Sequence, residues 1–197
     1  MAGTICPTAS EYITTLKTTL ERVAPDSIDR LADRLFEAWQ NDQQVFVFGN
    51  GGSAYTASHF ITDMVKTASV DGKKRLRAIS LVDNYGLTTA VGNDIHYDQS
   101  FLFPLETFAR PGDLAIAISG SGNSPNVVLA CEWAKNHGLT MACLTGFGGG
   151  KIAELADIQV HVPSDNYGVI EDVHLSVGHI ICHALKYRIE SEKSKRT

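Results

Sequence analysis

The chain has 197 residues, 44% of them hydrophobic, and a formal net charge of −5. That length and apolar content suit one domain with a sizeable core, and the mild acidity speaks against a nonspecific nucleic-acid binder, which needs a basic face. Cys6, Cys131, Cys143 and Cys182 lie far apart, so neither a zinc knuckle nor a disulfide framework is expected and a reducing cytoplasm is the expected compartment.

In chain order, residues 8–40 read as two amphipathic helices. The second carries Ile28, Leu31, Ala32, Leu35, Phe36 and Trp39 at helical spacing, with Pro25, Asp26 and Ser27 as its opening punctuation and cap. Short apolar strand candidates follow at 45–48, 76–82, 114–118, 141–144 and 158–162, with helical stretches such as 53–66 and 124–136 between them. Strands alternating with helices imply an α/β fold: a three-layer sandwich whose central parallel five-stranded sheet is flanked by helices, behind an N-terminal helical extension. The expected organisation is a single domain over 1–197, with helices at 8–40 and an α/β core at 44–190. The last helix, about 169–189, is apolar on more than one side and is expected to be buried by the fold or by another subunit. The tail beyond Glu190 is polar and expected to fray. The start of the chain has no basic segment followed by a long apolar one, and no run reaches the ~18 apolar residues of a membrane span, so no membrane association is expected.

Two of the strand candidates run into small, hydroxyl-bearing loops, GNGGS at 49–53 and SGSGNS at 119–124. In a parallel sheet these lie at the carboxyl ends of strands, where ligands bind. Glycines admit backbone N–H groups to an anion, serines add donors, and the following helix presents its positive end. Ser119, Ser121 and Ser124 thus describe a phosphate cradle. It lacks the lysine of a P-loop and does not match GxGxxG, which favours a sugar phosphate over a nucleotide. The competing reading is that these residues only make tight turns.

His59 and Asp63 stand four apart on the helix that GNGGS opens, on one face. Glu171 and His179 stand eight apart on the last helix, roughly 80° around its axis. Two imidazoles and two carboxylates make a Zn²⁺ donor set, although an HxxxD pair is commonly only a solvated or hydrogen-bonded pair. Asn93 and Asp94 suit sugar hydroxyls, or equally the cap of a following helix. His96, His137, His161, His174 and His183 have no comparable context and read as structural or surface residues.

The ordered set of GNGGS, His59 with Asp63, GND at 92–94, SGSGNS, LTGFGGG at 144–150 and EDVHLSVGH at 171–179 resembles the sugar isomerase (SIS) family, and within it the phosphoheptose isomerases, over nearly the whole chain. The resemblance implies interconversion of sedoheptulose 7-phosphate and D-glycero-D-manno-heptose 7-phosphate through an enediol, for bacterial surface polysaccharide. It also implies one zinc ion per subunit and a homotetramer with active sites between subunits. Carried over by position, Asn50, Gly51, Gly52 and Ser53 meet substrate, Asn93 and Asp94 bind sugar hydroxyls, and Ser119, Gly120, Ser121 and Ser124 bind phosphate. His59, Asp63, Glu171 and His179 take the metal positions. Asp63, or failing that Glu171, is the base, His179 moves protons on the other side, and Glu171 also contacts substrate. The chain departs from the family in four places. Asp63 stands for a glutamate, withdrawing the carboxylate by ~1.5 Å from a proton transfer that works at about 2.6–3.2 Å. Glu171 stands for a glutamine, Gly120 for a hydroxyl residue, and 165–167 differ from the usual residues. The alternative function is a non-catalytic relative that binds a phosphosugar or the bacterial replication initiator. Such relatives tend to lose the acid and histidine that this chain keeps at 63 and 179.

Overall fold

The computed structural model describes residues 5–192. Five parallel strands, β1 (Gln44–Gly49), β2 (Arg77–Ser80), β3 (Leu114–Ser119), β4 (Thr140–Thr145) and β5 (Ile158–His161), form one sheet in the order β2-β1-β3-β4-β5. The helices are α1 (Ala9–Glu21), α2 (Pro25–Gln40), α3 (Gly52–Thr62), α4 (Tyr85–Asp94), α5 (Leu102–Phe108), α6 (Pro125–Asn136), α7 (Gly150–Leu155) and α8 (Tyr167–Ser191).

Side chains alternate across the pleat, and so β1 feeds two cores. Val45 and Val47 face a layer built from α2, α3 and α8, with Leu31, Leu35, Phe60, Val173 and Val177. Phe46 and Phe48 face the other layer, with Phe101, Leu105, Val127 and Cys131 from α5 and α6. The three-layer sandwich expected from the alternating pattern is therefore present, and α1 and α2 lie against α8 as the helical extension. Thr8 and Glu11 form a reciprocal capping box at the start of α1.

Several local expectations shift. Helix α2 opens with Pro25 at its first turn, and the Ser27 hydroxyl donates to the Ala24 carbonyl instead of capping. Strand β2 is shorter than the apolar run suggested, because it is a sheet edge with a single neighbour, β1. Helix α8 buries Val169, Val173, Val177, Ile181 and Leu185 within the fold and leaves Ile180 exposed. Of the tail expected to fray, residues 193–197 lie outside the described residues. All four cysteines are unpaired, three of them buried, and no helix among the described residues is long and apolar enough to cross a membrane.

The order β2-β1-β3 fixes where a ligand can sit. Chain connections leave β1 and β3 in opposite directions along the sheet, which opens a crevice beyond their carboxyl ends. Those ends are Gly49 and Ser119, the first residues of the two Gly/Ser loops.

Candidate active site

The two loops meet in a cavity of about 230 Å³ lined by Asn50, Gly51, Gly52 and Ser53 from one side and Ser119, Gly120, Ser121 and Ser124 from the other, with Ile118, Tyr167 and Glu171. Nine of the expected site residues share this one space. Gly51 precedes α3 at φ 55° and ψ −125°, a conformation that suits glycine, and carries no capping side chain. The positive end of α3 is thus left open toward the cavity.

The serine loop is oriented by its own backbone. Gly122 N–H donates to the Ser119 hydroxyl oxygen at 3.1 Å and Asn123 N–H to the Ser121 hydroxyl oxygen at 3.3 Å. Each hydroxyl accepts from the chain and keeps its own proton to give away. Ser124 opens α6 without using its side chain as a cap. Among the described residues no Lys or Arg lines the cavity, so what this chain offers an anion there is hydroxyl and backbone dipoles.

Glu171 enters the cavity from the first turns of α8. Its carboxylate lies over Gly52, so close that a Cβ on Gly52 would be 2.5 Å from both oxygens. Burial, and then the charge of Asp172, raise its pKa above the ordinary carboxylate value. Asp172 is itself fixed by Tyr12 of α1, whose hydroxyl donates to Oδ2 at 2.7 Å. Burial and that acceptor push the Tyr12 phenol up to about 12.

Two turns along the paired helices α3 and α8, a second group forms. His59 Nε2 is 3.0 Å from His179 Nε2, and Asp63 Oδ2 is 3.2 Å from the first and 3.5 Å from the second. The helix changes pitch here: Asp63–Thr67 is a π-helical turn, a feature frequent at functional sites. It brings the Thr67 hydroxyl to Asp63 Oδ1 at 2.9 Å, so that Oδ2 is turned to the imidazoles. Both imidazoles are about half exposed. Two bonds of about 2.0–2.1 Å to a tetrahedral centre separate their donor atoms by roughly 3.3 Å. The three distances bracket that value, so His59, Asp63 and His179 fit a zinc ion with one position open.

Glu171 is not brought to this triad. Eight residues of helix separate it from His179, about 12 Å along the axis, and its side chain turns to Gly52. Asn93 and Asp94 are not among the cavity residues either. They form the exposed last turn of α4, with Asn93 Nδ2 donating to Asp94 Oδ1 at 2.7 Å. They cap no following helix: the next turn, Tyr97–Gln99, is capped by His96. His174 is buried, as a structural histidine should be, and its Nε2 lies 3.3 Å from the Thr145 carbonyl oxygen.

One residue that the sequence marked only as a departure from the family, Tyr167, and one that it did not mark, Asn126, belong to the site. Tyr167 lines the cavity, its ring where a side chain at Gly120 would project, and Phe147 packs edge-on against it at 4.7 Å. Asn126, in the first turn of α6, is buried and bonded to Asn50. An Asn following Ser-Pro reads as ordinary helix-start composition, so nothing in the sequence marked it.

The SIS domain family model matches residues 11–146, a span that holds both loops, His59 and Asp63. The phosphoheptose isomerase of Akkermansia muciniphila is 36% identical over 162 residues, 82% of this chain and 85% of that protein. The phosphoheptose isomerase of Mycobacterium bovis BCG Pasteur is 38% identical over 170 residues, covering 86% and 84%. Among solved structures, the phosphoheptose isomerase GmhA from Neisseria gonorrhoeae superposes with a TM-score of 0.83 at 30% identity, covering 90% of this chain and 94% of that one. Its sequence, sheet order and paired serine loops together make this chain a member of the SIS domain family, among the phosphoheptose isomerases.

Proposed function

We propose that the chain, as one SIS domain, is an aldose–ketose isomerase that converts sedoheptulose 7-phosphate to D-glycero-D-manno-heptose 7-phosphate through a cis-enediol. The observation that carries this reading is the meeting of both Gly/Ser loops and Glu171 in one crevice cavity, beside a His59–Asp63–His179 triad on the same two helices. The names of its relatives point to the same reaction.

Charge orients the ligand. Glu171 and a phosphate repel, so the phosphate takes the end made by Ser119, Gly120, Ser121 and Ser124, where every hydroxyl can donate. Asn50, Gly51, Gly52, Ser53 and Glu171 then hold the hydroxylated carbons. Phosphate binding remote from the reacting carbons supplies positioning energy. The carbonyl end extends to the triad. There Asp63, its Oδ1 fixed by Thr67, removes the proton on the carbon beside the carbonyl, and His179 Nε2, whose single lone pair serves a metal or a proton but not both, moves a proton on the opposite side in the metal-free site. Asn93 and Asp94, with no cavity contact of their own, would join the site by movement of the end of α4. His59, Asp63 and His179 would hold zinc, which when bound supplies Lewis-acid polarisation of the carbonyl oxygen.

The homotetramer with sites between subunits is supported by the half-exposed triad and by Tyr55, Ile79 and Tyr85, large side chains exposed on α3, β2 and α4. Cytoplasmic residence, in a route to surface polysaccharide, is consistent with four unpaired cysteines.

The test is NMR of phosphorylated ketoses in D₂O. Deuterium enters the carbon beside the carbonyl of sedoheptulose 7-phosphate with the unaltered protein, and Asp63→Asn and His179→Ala abolish uptake while phosphosugar affinity changes far less. No uptake with the unaltered protein, in either its zinc-loaded or its metal-free form, overturns the proposal.

A further inference from the structure

We infer that Asn50 meets its ligand only as a hydrogen-bond donor, and that Asn126 and Tyr97, neither of which lines the cavity, are the positioning residues that set this polarity. The inference rests on the reading above in taking the ligand to be a phosphosugar.

One group here has a fixed direction, the backbone N–H of Val127. It can only donate, and it does so to Asn126 Oδ1 at 3.0 Å. This fixes which end of the Asn126 amide is oxygen. The opposite end, Nδ2, then donates to Asn50 Oδ1 at 2.9 Å and to the Ser100 hydroxyl oxygen at 3.0 Å. Asn50 Nδ2 returns a bond to Asn126 Oδ1 at 2.8 Å. The two amides are thus paired head to tail, and one backbone N–H dictates the orientation of both. Tyr97 completes the arrangement by donating its hydroxyl to Asn50 Oδ1 at 3.0 Å.

The Asn50 side-chain carbonyl oxygen has two lone pairs, and Asn126 and Tyr97 take both. An amide nitrogen has two hydrogens, and Asn126 takes one. Among the described residues a single N–H remains, on a side chain that lines the cavity. Its partner must be an oxygen acceptor, either a phosphate oxygen or an oxygen of the sugar chain. The pair also ties the β1 loop to the first turn of α6, so it holds the two halves of the cradle in register. Asn126 is buried at 1% exposure, so water does not compete for the pairing.

The experiment is a double-mutant cycle. Asn126→Asp keeps the shape and the acceptor for Val127 N–H but removes the donor to Asn50, and Asn50→Ala removes the side chain acted on. Asn126→Asp alone is expected to lower kcat/KM for sedoheptulose 7-phosphate between about 10- and 100-fold, the worth of one hydrogen bond to a charged or charging oxygen. In the Asn50→Ala background the same change is expected to cost less than about twofold. Tyr97→Phe, which leaves the buried amides in place, is expected to lower kcat/KM severalfold and to couple to Asn50→Ala in the same way; it serves if Asn126→Asp does not fold.

Inorganic phosphate as a competing ligand separates the two acceptors. Weaker phosphate binding in Asn126→Asp marks a phosphate oxygen, and unchanged phosphate binding with lower kcat/KM marks an oxygen of the sugar chain. Equal losses with and without the Asn50 side chain, for either variant, would overturn the inference, because Asn126 and Tyr97 would then act only on stability. An inactive wild-type protein instead defeats the functional reading, and the same cycle measured as calorimetric affinity for sedoheptulose 7-phosphate still decides the role of Asn126.

Discussion

Replacing Gly52 with alanine puts a methyl group where the Glu171 carboxylate lies. The new Cβ would be 2.5 Å from both carboxylate oxygens, against 3.4 Å or more for an ordinary contact. One side must give by about 1 Å. The backbone of Gly52 is held in the first turn of α3, whereas the carboxylate is the end of a flexible side chain, so the carboxylate moves. Gly52 is helical without a positive φ, so alanine is conformationally acceptable and raises stability by about 0.4–1 kcal/mol through the unfolded chain. A displacement of that size in a group that positions substrate costs up to about 100-fold in rate, or about 2.7 kcal/mol of transition-state stabilisation. The expected result is a urea midpoint unchanged or higher with kcat/KM for sedoheptulose 7-phosphate reduced by about two orders of magnitude. In a Glu171→Ala background the Gly52 change should be nearly silent. A Gly52→Ala enzyme within about threefold of the wild type would refute the role given to Glu171, and a loss of stability above about 2 kcal/mol would refute the claim that the side chain yields.

Gly122 offers the opposite outcome. At φ 64° its Cβ would overlap the backbone of Gly149 and Gly150, where neither side can retreat, so Gly122→Ala should cost about 3–5 kcal/mol in urea unfolding. Elemental analysis should find one zinc per chain, lost in His59→Ala. Thr67→Val, which frees Asp63 Oδ1, should weaken zinc by about 10- to 100-fold in a chelator competition. Burial holds the His174 imidazole down to about 4, so the unfolded chain takes up its proton first as pH falls. Stability should therefore decline between about pH 6.5 and about pH 4, by roughly 3 kcal/mol from this group, and His174→Phe should flatten that part of the profile.

The site was legible where local chemistry and strand pattern coincided. A strand followed by Gly, Ser and a helix is a local signal, and both loops carried it. The His59–Asp63 pair was readable from helical spacing, whereas the turn of the Glu171 carboxylate toward Gly52, away from His179, depends on how α3 packs on α8 and is not encoded in the spacing along α8. Helix α4 was not visible, because YGLTTAVGND contains two glycines and several β-branched residues and buries only Val91. Its Asn84 cap is what marks it in the structure. Asn126 and Tyr97 act through contacts far apart in sequence, which no local pattern encodes. The Gly120–Tyr167 complementarity is of the same kind. The two departures noted separately in the sequence become neighbours only once β3 and α8 are assembled.

The central claim is that one molecule spans the serine cradle and the His–Asp–His triad. Calorimetric titration of sedoheptulose 7-phosphate and of inorganic phosphate, each into zinc-loaded and chelator-treated protein, tests it directly. Zinc should tighten the sugar phosphate at least tenfold and leave inorganic phosphate unchanged, because only the longer ligand reaches both ends. Equal affinities of the sugar phosphate in the two preparations would contradict the account.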